Sequence, residues 1–399
     1  MKKIGSVLVT GCVLLSLTGC DNSDKTWITE YNGEKTKVGV YIQYLMNEYR
    51  QLYMQDLIGK LKLTENEKND VVDEKNGTES NSNSESTKSQ NDSKKEKKVS
   101  PLKKFIEDED TGKWILGNQW VMNKAKKDLE EDIAVDAKFK EMNLTLDKET
   151  VDYLERKISE QWDAVNEQQG YEEKGVSQAS VIYALKTQLK KQQIFNAYYD
   201  KGGIKEVSEN DIKSYLADNY NQVKYYMFEV HGLEKEKKEK IEKWYNDFLT
   251  RAKSGEDIDK LIEEFNTKKQ NDEKKDDVNS ETSGYDHDLN DSSETVSIYK
   301  KDDTSEFNED VRDAINKAKI GELKGFKGEN EYIIFIKQDP SENEDYIESK
   351  RLSLLSEMKD DDFQKEIFTW IDQKSIKYND KALNKYYTPA KLKLDKKGL

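Results

Sequence analysis

The sequence predicts a mainly helical α+β fold, in which a small α+β domain is inserted into a larger helical domain. Two features predict this architecture. Apolar residues recur at three- and four-residue intervals before residue 200 and again after residue 343, which is the spacing of amphipathic helices. Between these segments, short runs of β-branched and aromatic residues alternate with helical patterns. The alternation is typical of a compact α+β domain, and the flanking segments supply the helical one.

The first 19 residues have the composition of a bacterial secretion signal. Lys2 and Lys3 precede an apolar run at residues 4–15, and the tetrapeptide LTGC closes it at Cys20. A basic start, an apolar run too short to span a membrane stably and a thiol that accepts a diacylglyceryl group together make a lipoprotein signal. We therefore predict a signal peptide over residues 1–19, lipidation of Cys20, and a tether over residues 20–37. An ordinary cleaved signal peptide or a short membrane anchor is the alternative.

A helical domain is predicted over residues 38–206. Three stripes of apolar residues follow the first helix, and Asp147 and Ser177 are expected as N-caps of two of them. Residues 64–100 interrupt the domain with Asn, Ser, Glu, Lys and Asp, and have almost no apolar side chain. Such a segment buries too little surface to offset the entropy of ordering it, so we predict a disordered insert.

The inserted α+β domain is predicted over residues 207–342. Its expected elements are a helix capped by Ser208, a strand at 223–230, helices on either side of Gly255, a polar insert at 267–295, a short strand at 296–299, a helix ending near Gly321, and a buried strand at 332–336. The last segment, residues 343–399, begins with a long helix that we expect to pack on the helical domain, followed by a tail.

Charge and composition exclude several kinds of function. The formal net charge of −15 argues against nucleic-acid binding, because that binding depends on cations that neutralise phosphates. The two cysteines leave no disulfide in a mature chain, since Cys12 departs with the signal and Cys20 is consumed by lipid. With two histidines and no free thiol, no metal or other cofactor is expected.

Several stretches resemble extracytoplasmic foldases of the PrsA and SurA type. In that family, a helical chaperone domain flanks a parvulin peptidyl-prolyl isomerase domain. The likeness covers most of residues 110–370 and is a pattern of positions, not an identical motif. The matching passages are EMNLTLDKETVDYL, KGVSQASVIYALKTQLKKQQIF, VSENDIKSYLADNYNQVKYYMFEV, FLTRAKSGEDIDKLIEEFN, SEFNEDVRDAINKAKIGELKG and NEYIIFIKQ. The resemblance implies that residues 207–342 are parvulin-like.

The sequence departs from active parvulins at the residues that matter most. The family has a histidine in its first strand, and that position falls on Tyr226 or Met227, depending on a one-residue choice of register. A second family histidine is expected where Tyr332 stands. Phe307 matches the aromatic residue of the proline-binding pocket, although simple packing also explains a phenylalanine there. The resemblance therefore implies a degenerate pocket, in which the two tyrosines could replace part of the polar network.

The two histidines and one acidic loop carry no clear chemistry. His231 follows the predicted first strand, so we expect it in an exposed turn. Residues 286–290, which include His287, place oxygen ligands at alternating positions as an EF-hand loop does. Asp291 stands where that loop requires glycine and Ser297 where it requires glutamate, so a solvated acidic loop is the better interpretation.

Three functions remain open at this stage. The first is a lipid-anchored chaperone on the extracytoplasmic face of a bacterial membrane, with unfolded or newly translocated secreted polypeptides as partners and an inactive parvulin-like domain. The second is an active peptidyl-prolyl cis-trans isomerase with an altered site, against which the missing histidines argue. The third is a surface lipoprotein that binds one dedicated envelope partner.

Overall fold

The computed structural model describes residues 25–63, 99–276 and 296–395. They fall into two compact units, and the second is inserted into the first. Unit 1 lies within Met1–Ala197 and Asp361–Leu399, and unit 2 is Tyr198–Asp360. The predicted signal peptide with Cys20 lies outside the described residues, as do residues 64–98 and 277–295 of the two predicted inserts. The expectation of a mainly helical α+β fold is confirmed.

Unit 1 is built from two antiparallel hairpins and long helices. Its elements, in chain order, are β1 Trp27–Tyr31, β2 Glu34–Lys37, α1 Val38–Leu57, β3 Phe105–Asp108, β4 Lys113–Leu116, α2 Gly117–Glu141, α3 Lys148–Gln169, α4 Tyr171–Lys174 and α5 Gln178–Tyr199. Helices α1, α3 and α5 begin where the sequence predicts them, whereas α4 was not predicted. Asp147 caps α3 by accepting a hydrogen bond of 2.7 Å from the Thr150 amide.

The structure differs from the predicted tether over residues 20–37. Residues 27–37 form the β1–β2 hairpin, and Ile28 in β1 is fully buried in the core of unit 1. The physical reason is the turn at Asn32 and Gly33, which have φ of 48° and 83°. An Asn-Gly pair with positive φ at both positions suits the tight turn whose twist matches two antiparallel strands. The tether can therefore extend no further than residue 26.

Unit 2 has a four-stranded antiparallel sheet with helices on both faces. Its elements are α6 Glu209–Asn219, β5 Tyr220–Glu229, α7 Lys235–Lys253, α8 Ile258–Asp276, β6 Val296–Lys300, α9 Glu309–Lys317, β7 Leu323–Lys327, β8 Glu331–Gln338 and the first part of α10 Glu344–Ile367. The strand order is β6-β5-β8-β7. The structure extends α8 to Asp276, ten residues into the insert predicted over 267–295, and it adds β7, which the sequence did not suggest.

The chain returns to unit 1 in the second half of α10. Phe363 packs edge-on against Phe195 of α5, with ring centroids 5.1 Å apart. Beyond the helix, β9 Lys377–Tyr378 pairs with β1, and Leu394 is almost fully buried in the tail. Residues after the helix therefore contribute to the core of unit 1. Within the described residues, no helix is long and apolar enough to cross a membrane.

Candidate functional site

The central strands of unit 2 place alternate side chains on opposite faces of the sheet. Tyr226 and Phe228 in β5 contact the helix pair α7 and α8, whereas Tyr225 and Met227 contact α9 on the other face. In the antiparallel register, Met227 lies opposite Ile333 in β8. Each residue of β5 and β8 can therefore be assigned to one face, which the sequence left open.

Tyr226 and Tyr332 both lie on the face that α7 and α8 cover. Tyr226 stacks on Phe248 of α7, with ring centroids 5.4 Å apart and planes inclined by 21°. Tyr332 packs edge-on against Tyr245 of α7 at 5.5 Å. Both tyrosines are buried. Their rings therefore belong to the hydrophobic core between the sheet and the helix pair.

Phe307 lies on the opposite face, just before α9. Its ring makes edge-on contacts with Tyr225 at 5.2 Å and with Tyr299 of β6 at 5.3 Å. Only 5% of Phe307 is exposed, whereas Tyr225, Met227 and Phe326 around it are half-buried. We call Tyr225, Met227, Phe307 and Phe326 the apolar shelf. It is the part of the expected pocket where a ligand could touch apolar side chains.

The structure places Met227 with Phe307 and does not bring Tyr226 or Tyr332 to that face. Tyr226 and Tyr332 are separated from Phe307 by the sheet, so they cannot form a polar network beneath the same pocket. On the face of the shelf, the central strands place Met227 directly opposite Ile333. Of the two registers left open by the sequence, the one with Met227 fits the shelf. For the second strand, the residue facing the shelf is Ile333, one position after Tyr332.

The phenols and the amide beside the shelf are uncharged, whereas the charged side chains nearest to it are Glu306, which precedes Phe307, and Arg312, which donates a 2.6 Å hydrogen bond to the Phe307 carbonyl. Desolvation raises the pKa of the Tyr225 phenol, and it raises that of the Tyr299 phenol to about 12. The amide of Asn221 donates a 2.8 Å hydrogen bond to Asn316, while its own buried carbonyl oxygen has no partner among the described residues. Met227 and Ile333 offer neither a proton nor a hydrogen bond. The shelf can therefore hold an apolar side chain, but the phenols and the amide beside it are not suited to proton transfer near neutral pH.

The remaining predicted residues lie away from this site. His231 is exposed in the turn after β5, and its Nδ1 is 3.0 Å from Asn330 Oδ1. Cys20, His287 and the acidic loop at 286–290 lie outside the described residues. In the part of the chain that the structure describes, no group of three or more His, Cys, Asp or Glu side chains is arranged to hold a metal ion.

Comparison with known proteins identifies similar solved structures only. No protein-family model and no curated protein matches the chain. The foldase protein PrsA from Streptococcus pneumoniae str. Canada MDR_19A is 15% identical, with a TM-score of 0.32 over 69% of this chain and 96% of that one. PrsA from Bacillus subtilis is 16% identical, with a TM-score of 0.25 over 66% of this chain and 90% of that one. The foldase protein PrsA from Lactococcus lactis is 15% identical, with a TM-score of 0.31 over 69% of this chain and 90% of that one. Each of these three similar structures is a PrsA protein.

Proposed function

We propose that this chain is an extracytoplasmic chaperone of the foldase type, which binds unfolded secreted polypeptides. The observation that carries the proposal is the apolar shelf, where half-buried Tyr225, Met227 and Phe326 surround the buried ring of Phe307. Lipid on Cys20 would hold the protein at the outer face of a bacterial membrane. Both the anchor and the clients are inferences from the sequence and from the chemistry of the shelf.

The composition of the shelf suits many clients. Aromatic rings offer a large contact area at a small loss of side-chain entropy, and the unbranched methionine adapts to irregular shapes. Surfaces of this kind can pack again around different apolar segments, which is the property that a general chaperone needs. The net charge of −15 favours solubility and attracts basic segments of unfolded clients.

We further propose that prolyl isomerase activity is weak or absent. Rotation about a peptide bond crosses a barrier of about 18–20 kcal/mol that amide resonance creates. An isomerase lowers this barrier by stabilising the twisted amide, which requires hydrogen-bonding groups at the pocket. Met227 of the shelf and Ile333, which lies opposite it in β8, have no such groups. The site therefore favours binding of apolar segments over catalysis.

Two assays on one protein separate binding from catalysis. The chain from Asp21 onward is mixed first with a permanently unfolded client that contains no proline, and aggregation is followed by light scattering. It is then added to a client whose refolding is limited by proline isomerisation. We expect suppressed aggregation and an unchanged slow refolding phase. Met227→Ser and Phe326→Ser should each lower the protection several-fold, because each removes apolar contact area from the shelf.

Leu233→Ser is the matched control, because Leu233 is an apolar side chain of unit 2 that is 37% exposed but lies outside the shelf. It should protect the client as the unchanged chain does. Accelerated refolding that Met227→Ser abolishes would instead establish an active isomerase with an altered site. If the unchanged chain neither suppresses aggregation nor accelerates refolding, the result would favour the third function, a surface lipoprotein that binds one dedicated envelope partner.

A further inference from the structure

Unit 1 exposes a cluster of large apolar side chains at the end of α1 and on the β3–β4 hairpin. We call these residues the apolar tip: Tyr53, Met54, Leu57, Ile58, Trp114 and Leu116. Leu57 and Met54 are each 54% exposed, and Ile58 is 64% exposed. Other exposed apolar side chains of the described residues, such as Tyr153 and Ile204, are distant from these in the sequence. Apolar groups concentrated in one place commonly mark an interaction surface.

Backbone and side-chain contacts tie the two parts of the tip together. After α1, Lys62 forms two backbone hydrogen bonds of 2.8 Å with Phe105 at the start of β3. Phe105 lies opposite Leu116 in the hairpin. One residue before the end of α1, Asp56 accepts a 2.7 Å hydrogen bond from Lys104. The helix end and the hairpin are therefore held at the same end of unit 1.

Cations surround the tip, although the chain as a whole is acidic. Lys60, Lys62 and Lys103 are exposed beside it, and Lys62 Nζ lies 3.6 Å from the centroid of the Trp114 ring. Among the acidic groups at this end of unit 1, Asp56 pairs with Lys104, while Glu107, opposite Trp114, and Glu109, at the hairpin turn, are exposed. Three exposed lysines therefore stand beside the tip against two exposed acidic side chains, in a chain whose net charge is −15.

Two occupants from the chain itself fit the tip poorly. Residues 64–98, which follow the tip in the sequence, contain Val71 and Val72 as their only aliphatic residues and no aromatic ones, so they offer little to cover it. A second copy related by a twofold axis would bring the lysines of one tip against those of the other. Anionic lipid suits the tip better, because tryptophan, tyrosine and lysine around aliphatic side chains are typical of surfaces that enter the headgroup region.

We propose that the apolar tip is a contact surface for an anionic lipid bilayer, separate from any acyl chain on Cys20. Met54, Leu57 and Ile58 enter the boundary between headgroups and acyl chains, and the Trp114 ring lies at headgroup level. Lys60, Lys62 and Lys103 extend to the lipid phosphates, with their methylene stems along the apolar surface. The contact would fix the orientation of unit 1 at the membrane, which a flexible anchor alone does not do.

Vesicle flotation tests the surface. The chain from Asp21 onward, which has no acylation site, is mixed with vesicles of phosphatidylcholine or of phosphatidylcholine with phosphatidylglycerol. We expect the chain to float with the anionic vesicles and to be released by salt. Leu57→Ser with Ile58→Ser should weaken the apparent affinity about tenfold or more, because two aliphatic side chains leave the lipid. Lys62→Glu should weaken it at least about fivefold, from the loss of one cation at the surface.

Controls and alternative outcomes decide the proposal. Ile204→Ser removes a side chain that is 68% exposed in unit 2, and it should bind vesicles as the unchanged chain does. Absence of flotation, or flotation that the tip variants do not reduce, overturns the proposal. If the tip variants instead lose protection of the proline-free client or change the oligomeric state, while flotation is absent or unaltered, a polypeptide or a second copy is the occupant, and the lipid contact is rejected.

Discussion

Met227 and Ile333 show how much one residue of register changes the chemistry of a strand. Shifting a strand by one residue moves its side chains to the other face of the sheet. The sequence offered Tyr226 or Met227, and Tyr332, as substitutes for the family histidines. The structure places Met227 and Ile333 on the face with Phe307, and both tyrosines on the other. At this scale, the apolar character of the shelf follows from which face each residue takes.

The sequence could not resolve this choice because both faces of the central strands are apolar. Residues 225–228 are Tyr, Tyr, Met and Phe, and residues 332–335 are Tyr, Ile, Ile and Phe, so no alternation of polar and apolar residues marks a face. The contact of Phe307 with Tyr225 was not expected from the sequence. The partner of each strand residue depends on pairing between segments about a hundred residues apart, which no local pattern encodes.

Cys20 is the residue on which the anchoring proposal depends. Cys20→Ser removes the thiol that would accept the diacylglyceryl group, so the variant should incorporate no labelled palmitate in a bacterial host. Cys12→Ser changes the cysteine of the apolar run instead and should be labelled as the unchanged chain is. Equal labelling of the Cys20 variant and the unchanged chain would refute lipidation at this position.

At the scale of elements, α1 and α2 pack around carboxylates that the sequence did not single out. Asp132 in α2 is 3% exposed, and it accepts a 2.6 Å hydrogen bond from the hydroxyl of Tyr44 in α1. One turn before it, desolvation and the nearby charges of Glu48 and Glu131 raise the pKa of Asp128 to about 8. Desolvation also raises the pKa of Asp132 well above its usual range. The sequence did not predict their burial, because the spacing of Asp128, Asp132 and Asp136 is that of the solvent-facing side of an amphipathic helix.

The cations near these carboxylates are mostly engaged elsewhere. Asp136 forms a 2.6 Å ion pair with Lys190 of α5 and accepts a 3.0 Å hydrogen bond from the Tyr183 hydroxyl. Glu131 pairs with Lys191 at 2.5 Å. The charges of Lys124 and Lys127 lower the pKa of Asp128, but by less than desolvation raises it. Within the described residues, Asp132 is thus stabilised by the Tyr44 hydroxyl and not by an ion pair.

Raised carboxyl pKa values make the stability of unit 1 fall with rising pH. An unfolded aspartate has a pKa of about 3.9, so between about pH 4 and pH 8 the folded state holds protons that the unfolded state has released. The free energy of unfolding is therefore expected to decrease over this range, on the order of 2–4 kcal/mol for Asp128. Urea unfolding followed by circular dichroism at pH 5 and at pH 8 measures the difference.

Asp128→Asn supplies the comparison for that measurement, because the amide is nearly the same size and does not titrate. Its unfolding free energy should change less between the two pH values than that of the unchanged chain. Asp147→Asn is the matched control: hydrogen bonds from Thr150 lower the pKa of Asp147, so it loses its stabilising charge at lower pH than this range. Stability that is equal or higher at pH 8 in the unchanged chain would contradict the predicted role of Asp128.

At the scale of the whole molecule, helices were easier to predict than strand pairing. Apolar periodicity located α1 and α3, and Gly255 correctly separated α7 from α8. The β1–β2 hairpin was missed, although its Asn32-Gly33 turn was a usable signal. β7 was missed because LKGFK is short and has lysine and glycine between its apolar residues. The identification of the two units as chaperone and parvulin-like domains stays a prediction from the resemblance.

The polar segment between α1 and β3 provides a test of how unit 1 is stabilised. Residues 64–98 contain almost no apolar side chains, whereas the core on either side uses Leu52 before the segment and Leu102 and Ile106 after it. Apolar burial is the main favourable term in folding, so a segment without apolar groups contributes little to the free energy of unfolding. Replacing residues 66–96 by a short Gly-Ser linker should therefore leave the melting temperature within about 2 °C of the unchanged chain.

Differential scanning calorimetry and the proline-free client assay measure the two consequences of that deletion. Client protection should also be unchanged, because the apolar shelf lies in unit 2. Leu102→Ala in the full chain is the positive control: a leucine buried to 95% costs about 2–5 kcal/mol when truncated, which lowers the melting temperature by several degrees. A deletion variant that melts as early as Leu102→Ala, or that no longer protects the client, would show that residues 64–98 belong to the folded body and that composition alone misjudged them.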